Sequence, residues 1–158
     1  MRTVVIYDSK FGNTEKIAQA IGRGLSAVSD VRVMSAGEAT LTERPDLLFL
    51  GGPTQRRGAS PGLRGFMEAL PEALRGVPAA PFDTRYRGAT WLMGSAAAQA
   101  AKAVRKTGGD LVAEPESFFI VRKGPLERQT LEPGEIERAQ QWAAAVATAT
   151  NGNGGRQS

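Results

Sequence analysis

The chain has 158 residues with 20 basic against 16 acidic, a net charge of +4, and neither cysteine nor histidine. That length fits one domain, and the missing residue types exclude disulfides, thiolate metal sites, iron–sulfur clusters, a cysteine nucleophile and imidazole acid–base chemistry. Any redox chemistry must therefore come from a bound cofactor.

Thr3–Tyr7 is a short β-branched apolar run, as expected for a strand buried on both faces. Asn13–Val28 follows with Ile17, Ile21, Leu25 and Val28 at helical spacing. Val31–Met34 reads as a second strand, and Asp46–Leu50 as a third that stops at Gly51-Gly52-Pro53. A helix is predicted from about Pro61 to Leu70, with Leu63, Phe66, Met67 and Leu70 on one face. Val77–Phe82 is a fourth strand that carries Pro78 and Pro81, which are awkward in a sheet interior. Ser95–Thr107 is an alanine-rich helix stopped by Gly108-Gly109. Leu111–Val121 is the last strand region, interrupted near Pro115, and Glu135–Thr148 is the closing helix. Residues 1–150 thus form one domain, and Asn151–Ser158 has the composition of a disordered tail.

This alternation predicts an α/β fold: a doubly wound five-stranded parallel sheet with helices on both faces and right-handed crossovers. Ligands of such sheets sit outside the carboxyl ends of the strands, which directs attention to three loops. The first is Ser9-Lys10-Phe11-Gly12-Asn13-Thr14, where hydroxyls, a glycine turn and helix N-terminal amides can cradle a phosphate. The same residues are also consistent with a simple helix cap at Asn13 or Thr14. The second runs from Gly51 to Pro61, where glycines can admit a flat ligand and Gly58 can adopt positive φ. The third, Asp83 to Gly88, is followed by Trp91 and Gly94-Ser95. Tyr86 and Trp91 can each stack on a planar ring or pack inward, Trp91 beneath the helix that starts at Ser95.

Competing nucleotide motifs are missing. There is no Gly-x-x-x-x-Gly-Lys-Ser/Thr, no Gly-x-Gly-x-x-Gly opening a helix, and Gly51 stands where a phosphoacceptor aspartate would. No apolar run reaches the roughly 20 residues of a membrane helix, and no Lys/Arg tract resembles a nucleic-acid arm. The start enters a strand directly, with no signal-peptide pattern, so a cytoplasmic location without membrane or nucleic-acid partners is expected.

Thr3–Tyr7 followed by Ser9–Thr14 resembles the Ser/Thr-x-Thr-Gly-Asn-Thr signature of short-chain flavodoxins, with Phe11 in place of the usual threonine. The resemblance covers about residues 1–150, because Gly52-Pro53-Thr54 and Asp83–Ser95 fall where that family places its two ring-flanking loops. It implies flavin mononucleotide (FMN) as cofactor, with Ser9, Lys10, Phe11, Gly12, Asn13 and Thr14 around the phosphate. Pro53, Thr54, Gln55, Arg56 and Gly58, together with Asp83, Thr84, Arg85 and Tyr86, would flank the ring. It further implies a one-electron carrier between a reductase and an acceptor. A small flavin-dependent oxidoreductase acting on a quinone or similar molecule, and a flavin-free binding module, are the alternatives. Flavodoxins are typically acidic around the flavin edge. Here Thr54–Arg87 holds Arg56, Arg57, Arg64, Arg75, Arg85 and Arg87 against Glu68, Glu72 and Asp83. That excess would favour an anionic reduced flavin, raise its potential and suit acidic partners.

Overall fold

β1 (Arg2–Tyr7) lies at the interior of the sheet, flanked by β2 (Asp30–Ser35) and β3 (Leu47–Gln55), in a computed structural model that describes residues 1–154. Beyond β3 come β5 (Ala79–Tyr86) and β6 (Glu116–Val121), and these five strands are all parallel. Two short antiparallel strands add to the expected five: β4 (Gly58–Ala59) folds back on β3, and β7 (Thr130–Leu131) on β6.

Alternation along the strands feeds two cores. Val5, Leu47, Phe49, Phe82 and Phe118 face α1 (Asn13–Leu25) and α5 (Glu135–Gly154). Trp142 of α5 sits edge-on to Phe49 and Phe118, with ring centroids 5.3 and 5.7 Å apart. On the other face Val4, Ile6, Leu48 and Leu50 pack with Leu63 of α2 (Pro61–Glu68) and with Ala100 and Val104 of α4 (Ala96–Lys106). A one-turn 3-10 helix (Glu72–Leu74) and a one-turn α3 (Thr90–Met93) complete the chain.

The prolines explain why two strands outrun their expected ends. Alternate residues of a strand direct their N–H groups to the same side. Asp8 N donates to Gly51 O, so Pro53, two residues on, turns its missing N–H past the end of β1. Ala79 N donates to Asp110 O, so Pro81 turns its own toward the stretch where the chain between Val112 and Glu116 leaves the sheet. Neither proline forfeits a ladder hydrogen bond. β3 therefore continues through Gly51-Gly52-Pro53 to Gln55 instead of stopping there, and β5 continues to Tyr86. Gly51 and Gly52 serve packing, not ligand approach: a Cβ on Gly51 would lie 2.5 Å from the Phe82 ring, and one on Gly52 2.9 Å from Leu63.

Helix ends differ less. α1 stops at Leu25, and Val28 is exposed because Ser29 is drawn to β1 through Thr3 and the Met1 carbonyl. Leu111 makes only an isolated bridge to Ala79, so the last strand begins after Pro115. α5 extends through Gly154, which makes residues 151–154 of the expected tail helical; the remainder lies outside the described residues. Among the described residues no helix is long and apolar enough to cross a membrane, and no cluster of acidic side chains could hold a metal ion.

The first turn of α5 is tied to β6 by Glu135, which accepts from Phe119 N (2.7 Å) and from Arg138 Nε (2.9 Å). Burial alone would raise this carboxyl, but the Arg138 and Phe119 donors outweigh it and hold it below its ordinary value. A depressed acid stabilises the fold above its unfolded-state pKa and ceases to do so as pH falls through the folded one. Acid titrations of stability should therefore show a loss below about pH 4.3 that Glu135→Gln removes; an unchanged acid limb would contradict this.

Candidate functional site

The carboxyl ends of β1, β3 and β5 bring the three expected loops to one edge. The first loop turns at Gly12, whose φ of 87° is left-handed and suits a residue without Cβ. Ser9 Oγ accepts from Gly12 N (3.1 Å) and Glu15 N (3.4 Å), which leaves its own hydroxyl hydrogen to donate outward. Among the described residues the amides of Lys10, Phe11, Asn13 and Thr14 meet no protein acceptor. These donors surround the α1 N-terminus, where the helix dipole adds positive potential. Lys10 sits 5.3 Å from the Phe11 ring centroid, and Phe11 is 61% exposed. This donor set, with a cation beside it, fits a phosphate monoester.

Two residues of the loop have side chains committed elsewhere. Asn13 Nδ2 donates to Gln129 O at 3.0 Å, tying the loop to the β6–β7 connection. Thr14 Oγ1 and Thr84 Oγ1 are 2.7 Å apart, and both residues are buried. At these positions only the backbone amides are left to serve an anion. Thr14→Val or Thr84→Val alone strands one buried hydroxyl and should cost about 1–3 kcal/mol. The double variant should cost less than the sum, as urea unfolding can show; additive losses would dismiss the coupling.

The second loop is a hairpin. Gln55 pairs with Gly58, and the positive φ expected at Gly58 falls instead on Arg56 (46°) and Arg57 (70°). Gly58 is buried, and a Cβ there would lie 2.3 Å from the Gln99 side-chain amide, whose Oε1 accepts from Ala59 N at 2.8 Å. The hairpin is stitched to the third segment, because Arg57 and Gly94 form a parallel bridge.

The third segment departs most from expectation. Asp83 lies inside β5, wholly buried, and not in a loop beside a ring. Its Oδ2 accepts from Thr54 Oγ1 (3.1 Å), Ser95 Oγ (2.7 Å) and Ala97 N (3.1 Å), so it fastens the second segment to the start of α4. Arg85 is likewise mostly internal, donating to Ser117 Oγ and to the carbonyls of Tyr86 and Gly88. Trp91 is 85% exposed on α3 and does not pack beneath α4.

A cleft runs from Lys10, Phe11, Asn13 and Thr14 past Pro53, Thr54, Gln55 and Thr84 to Tyr86, closed behind by Ile120 and Gln129. Thr54 and Tyr86 also line a wider depression with Arg56, Arg57, Arg85, Leu92 and Met93. The end beside the first loop and the broad end are therefore continuous, and Tyr86 is the aromatic wall of the broad end. Sequence reasoning missed Ile120, Gln129, Leu92 and Met93. An apolar Trp-Leu-Met triplet between Gly88 and Gly94 was the available signal for the last two; Gln129 carried none.

A family model described as Flavodoxin matches residues 5–142. Among solved structures, a flavodoxin from the domain Archaea aligns over 96% of this chain and 99% of its own, with TM-score 0.75 and 21% identity. A short-chain flavodoxin associated with a bacterial microcompartment aligns over 95% and 99%, with TM-score 0.73 and 19% identity. The rubredoxin oxygen:oxidoreductase of Desulfovibrio gigas matches 96% of this chain over only 36% of its own length, with TM-score 0.72 and 18% identity. No protein of curated function matches in sequence.

Proposed function

The chain belongs to the flavodoxin family of flavin-binding electron-transfer proteins, and from that premise we propose that it binds FMN and passes electrons singly between a reductase and an acceptor. The observation that carries this is the first loop: unpartnered amides, an outward Ser9 hydroxyl and left-handed Gly12 at the head of α1. Lys10 adds charge at the same end. FMN, when bound, supplies the electron-accepting ring; the chain's part is to hold the phosphate and shape the broad end. Pro53, Thr54 and Gln55 line the cleft that leads there, and Thr54 and Tyr86 continue into the broad end. From behind, Asp83 fixes Thr54 at the broad end and Thr84 fixes Thr14 in the first loop.

Purified protein titrated with FMN should take up one flavin, read as visible absorbance, and should bind riboflavin at least about tenfold more weakly because the phosphate contacts are missing. Ser9→Ala should narrow that difference. Protein that stays colourless, or that does not discriminate FMN from riboflavin, would sink the reading. Arg56 and Arg57 make no ion pair or side-chain hydrogen bond among the described residues. Their positive potential at the broad end stabilises negative charge on a bound ring. The reduction potential should accordingly lie above that of an acidic flavodoxin and fall when both are changed to glutamine.

A further inference from the structure

Charge beside a bound ring accounts for arginines at the broad end, but not for the backbone that carries them nor for the apolar turn next to it. The Arg56–Arg57 turn is a two-residue hairpin with both central residues left-handed, an arrangement that favours Asn-Gly. Left-handed φ disfavours any side chain with a Cβ by about 1–2 kcal/mol per residue, yet the turn holds two arginines clear of every carboxylate among the described residues. Next to it, α3 turns Trp91 (85% exposed), Leu92 (50%) and Met93 (37%) outward. The Arg57–Gly94 bridge makes the two turns one unit, and Arg56, Arg57, Leu92 and Met93 share one depression.

From this geometry we infer that the Arg56–Arg57 turn and the Trp91–Met93 turn form one docking surface for a protein with an acidic rim around an apolar hollow. The inference rests on the electron-carrier reading for its purpose and on the surface itself for its chemistry. Charge decides the occupant. No Asp or Glu occurs between Asp46 and Glu68, or between Asp83 and Asp110, so neither turn brings a negative charge to soften the arginines. A second copy docking by the same patch would set arginine against arginine across the two-fold axis. An acidic partner meets both arginines and gives the tryptophan a hollow to fill, and exposed Trp and Arg are the side chains on which interface energy concentrates. The position at the mouth of the cleft would bring a partner's redox centre close to the flavin edge.

The test uses a plant-type ferredoxin as acidic probe, cytochrome c as basic probe and phosphatidylglycerol vesicles as anionic membrane, each against the full chain with and without FMN. Ferredoxin should bind and weaken about tenfold or more between about 50 and 200 mM salt. Arg56→Glu with Arg57→Glu, and separately Trp91→Ala, should each weaken it about tenfold. Lys102→Glu with Lys106→Glu, the same charge change in the groove between α2 and α4, should change it less than about threefold. Should the glutamate pair fail to fold by circular dichroism, Arg56→Gln with Arg57→Gln takes its place. Insensitivity to the arginines and Trp91, an equal loss from the α4 pair, tighter binding of cytochrome c, or Trp91-dependent capture by vesicles in place of ferredoxin would each overturn the inference. A chain that binds ferredoxin as described but takes no flavin would retain the surface and lose the carrier reading. A chain that loads flavin while ferredoxin ignores the variants would do the reverse.

Discussion

Replacing Asp83 by alanine is expected to lower stability by about 3–5 kcal/mol, because three buried donors lose their acceptor at about 1–3 kcal/mol each before partial recovery, and to weaken FMN binding. One carboxylate oxygen takes three donors, from Thr54, Ser95 and the amide of Ala97. Without it those donors stay buried and unmatched, each at about 1–3 kcal/mol less whatever the hydroxyls recover by rotating. Thr54 and Ser95 also accept from Ala96 N and Ala98 N, so the head of α4 loosens with them. Asp83→Asn keeps an acceptor oxygen and should lose much less. Its second oxygen has no hydrogen bond among the described residues and lies 4.0 Å from Arg85 Nε, so an amide nitrogen there faces another donor. Urea unfolding gives the stability and flavin titration the affinity; an Asp83→Ala variant as stable as Asp83→Asn would refute the account.

Gly94→Ala should have the second large effect, a loss of about 2–6 kcal/mol with weakened flavin binding. Gly94 has φ 74° and ψ 175°, a region open essentially to glycine alone. An added Cβ would lie 1.9 Å from the carbonyl oxygen of Arg57, a backbone atom that can move only by parting the two turns. Strain of about 1–3 kcal/mol then adds to an overpacking cost of about 1–3 kcal/mol. Gly12→Ala is the control. Its φ is also positive, but a Cβ there meets nothing within 4 Å, so strain acts alone. Thermal unfolding ranks the two, and a Gly94→Ala midpoint no lower than that of Gly12→Ala would contradict the argument.

Much of this architecture was legible in the sequence. β1, α1 and the intervening loop announce themselves because a β-branched run, a glycine turn and helical spacing are all local signals. The ends of β3 and β5 were not legible. Gly51-Gly52-Pro53 has the composition of a turn, and only the sheet register shows that Pro53 faces past the end of β1. The same limit applies at the site. Residue type marked Asp83 and Thr84 as chemically interesting, yet burial assigned them to hold other residues in place, which depends on partners 29 and 70 positions away. Arg56 and Arg57 could not be read as left-handed, since nothing in an Arg-Arg pair asks for that backbone. Trp91 was ambiguous because exposure is decided by the neighbours a residue fails to meet.

The two tryptophans of the chain occupy opposite surroundings, Trp142 against three phenylalanine rings and Trp91 in water. Their fluorescence is therefore separable by colour. Emission from Trp142 starts blue and can only move red, as the aromatic cluster opens; emission from Trp91 starts red and can only move blue, as something covers it. Trp91→Phe leaves a spectroscopic gauge of folding, and Trp142→Phe leaves one of surface capture. The chain thus carries its own built-in reporters for the two events that its variants most need to have told apart.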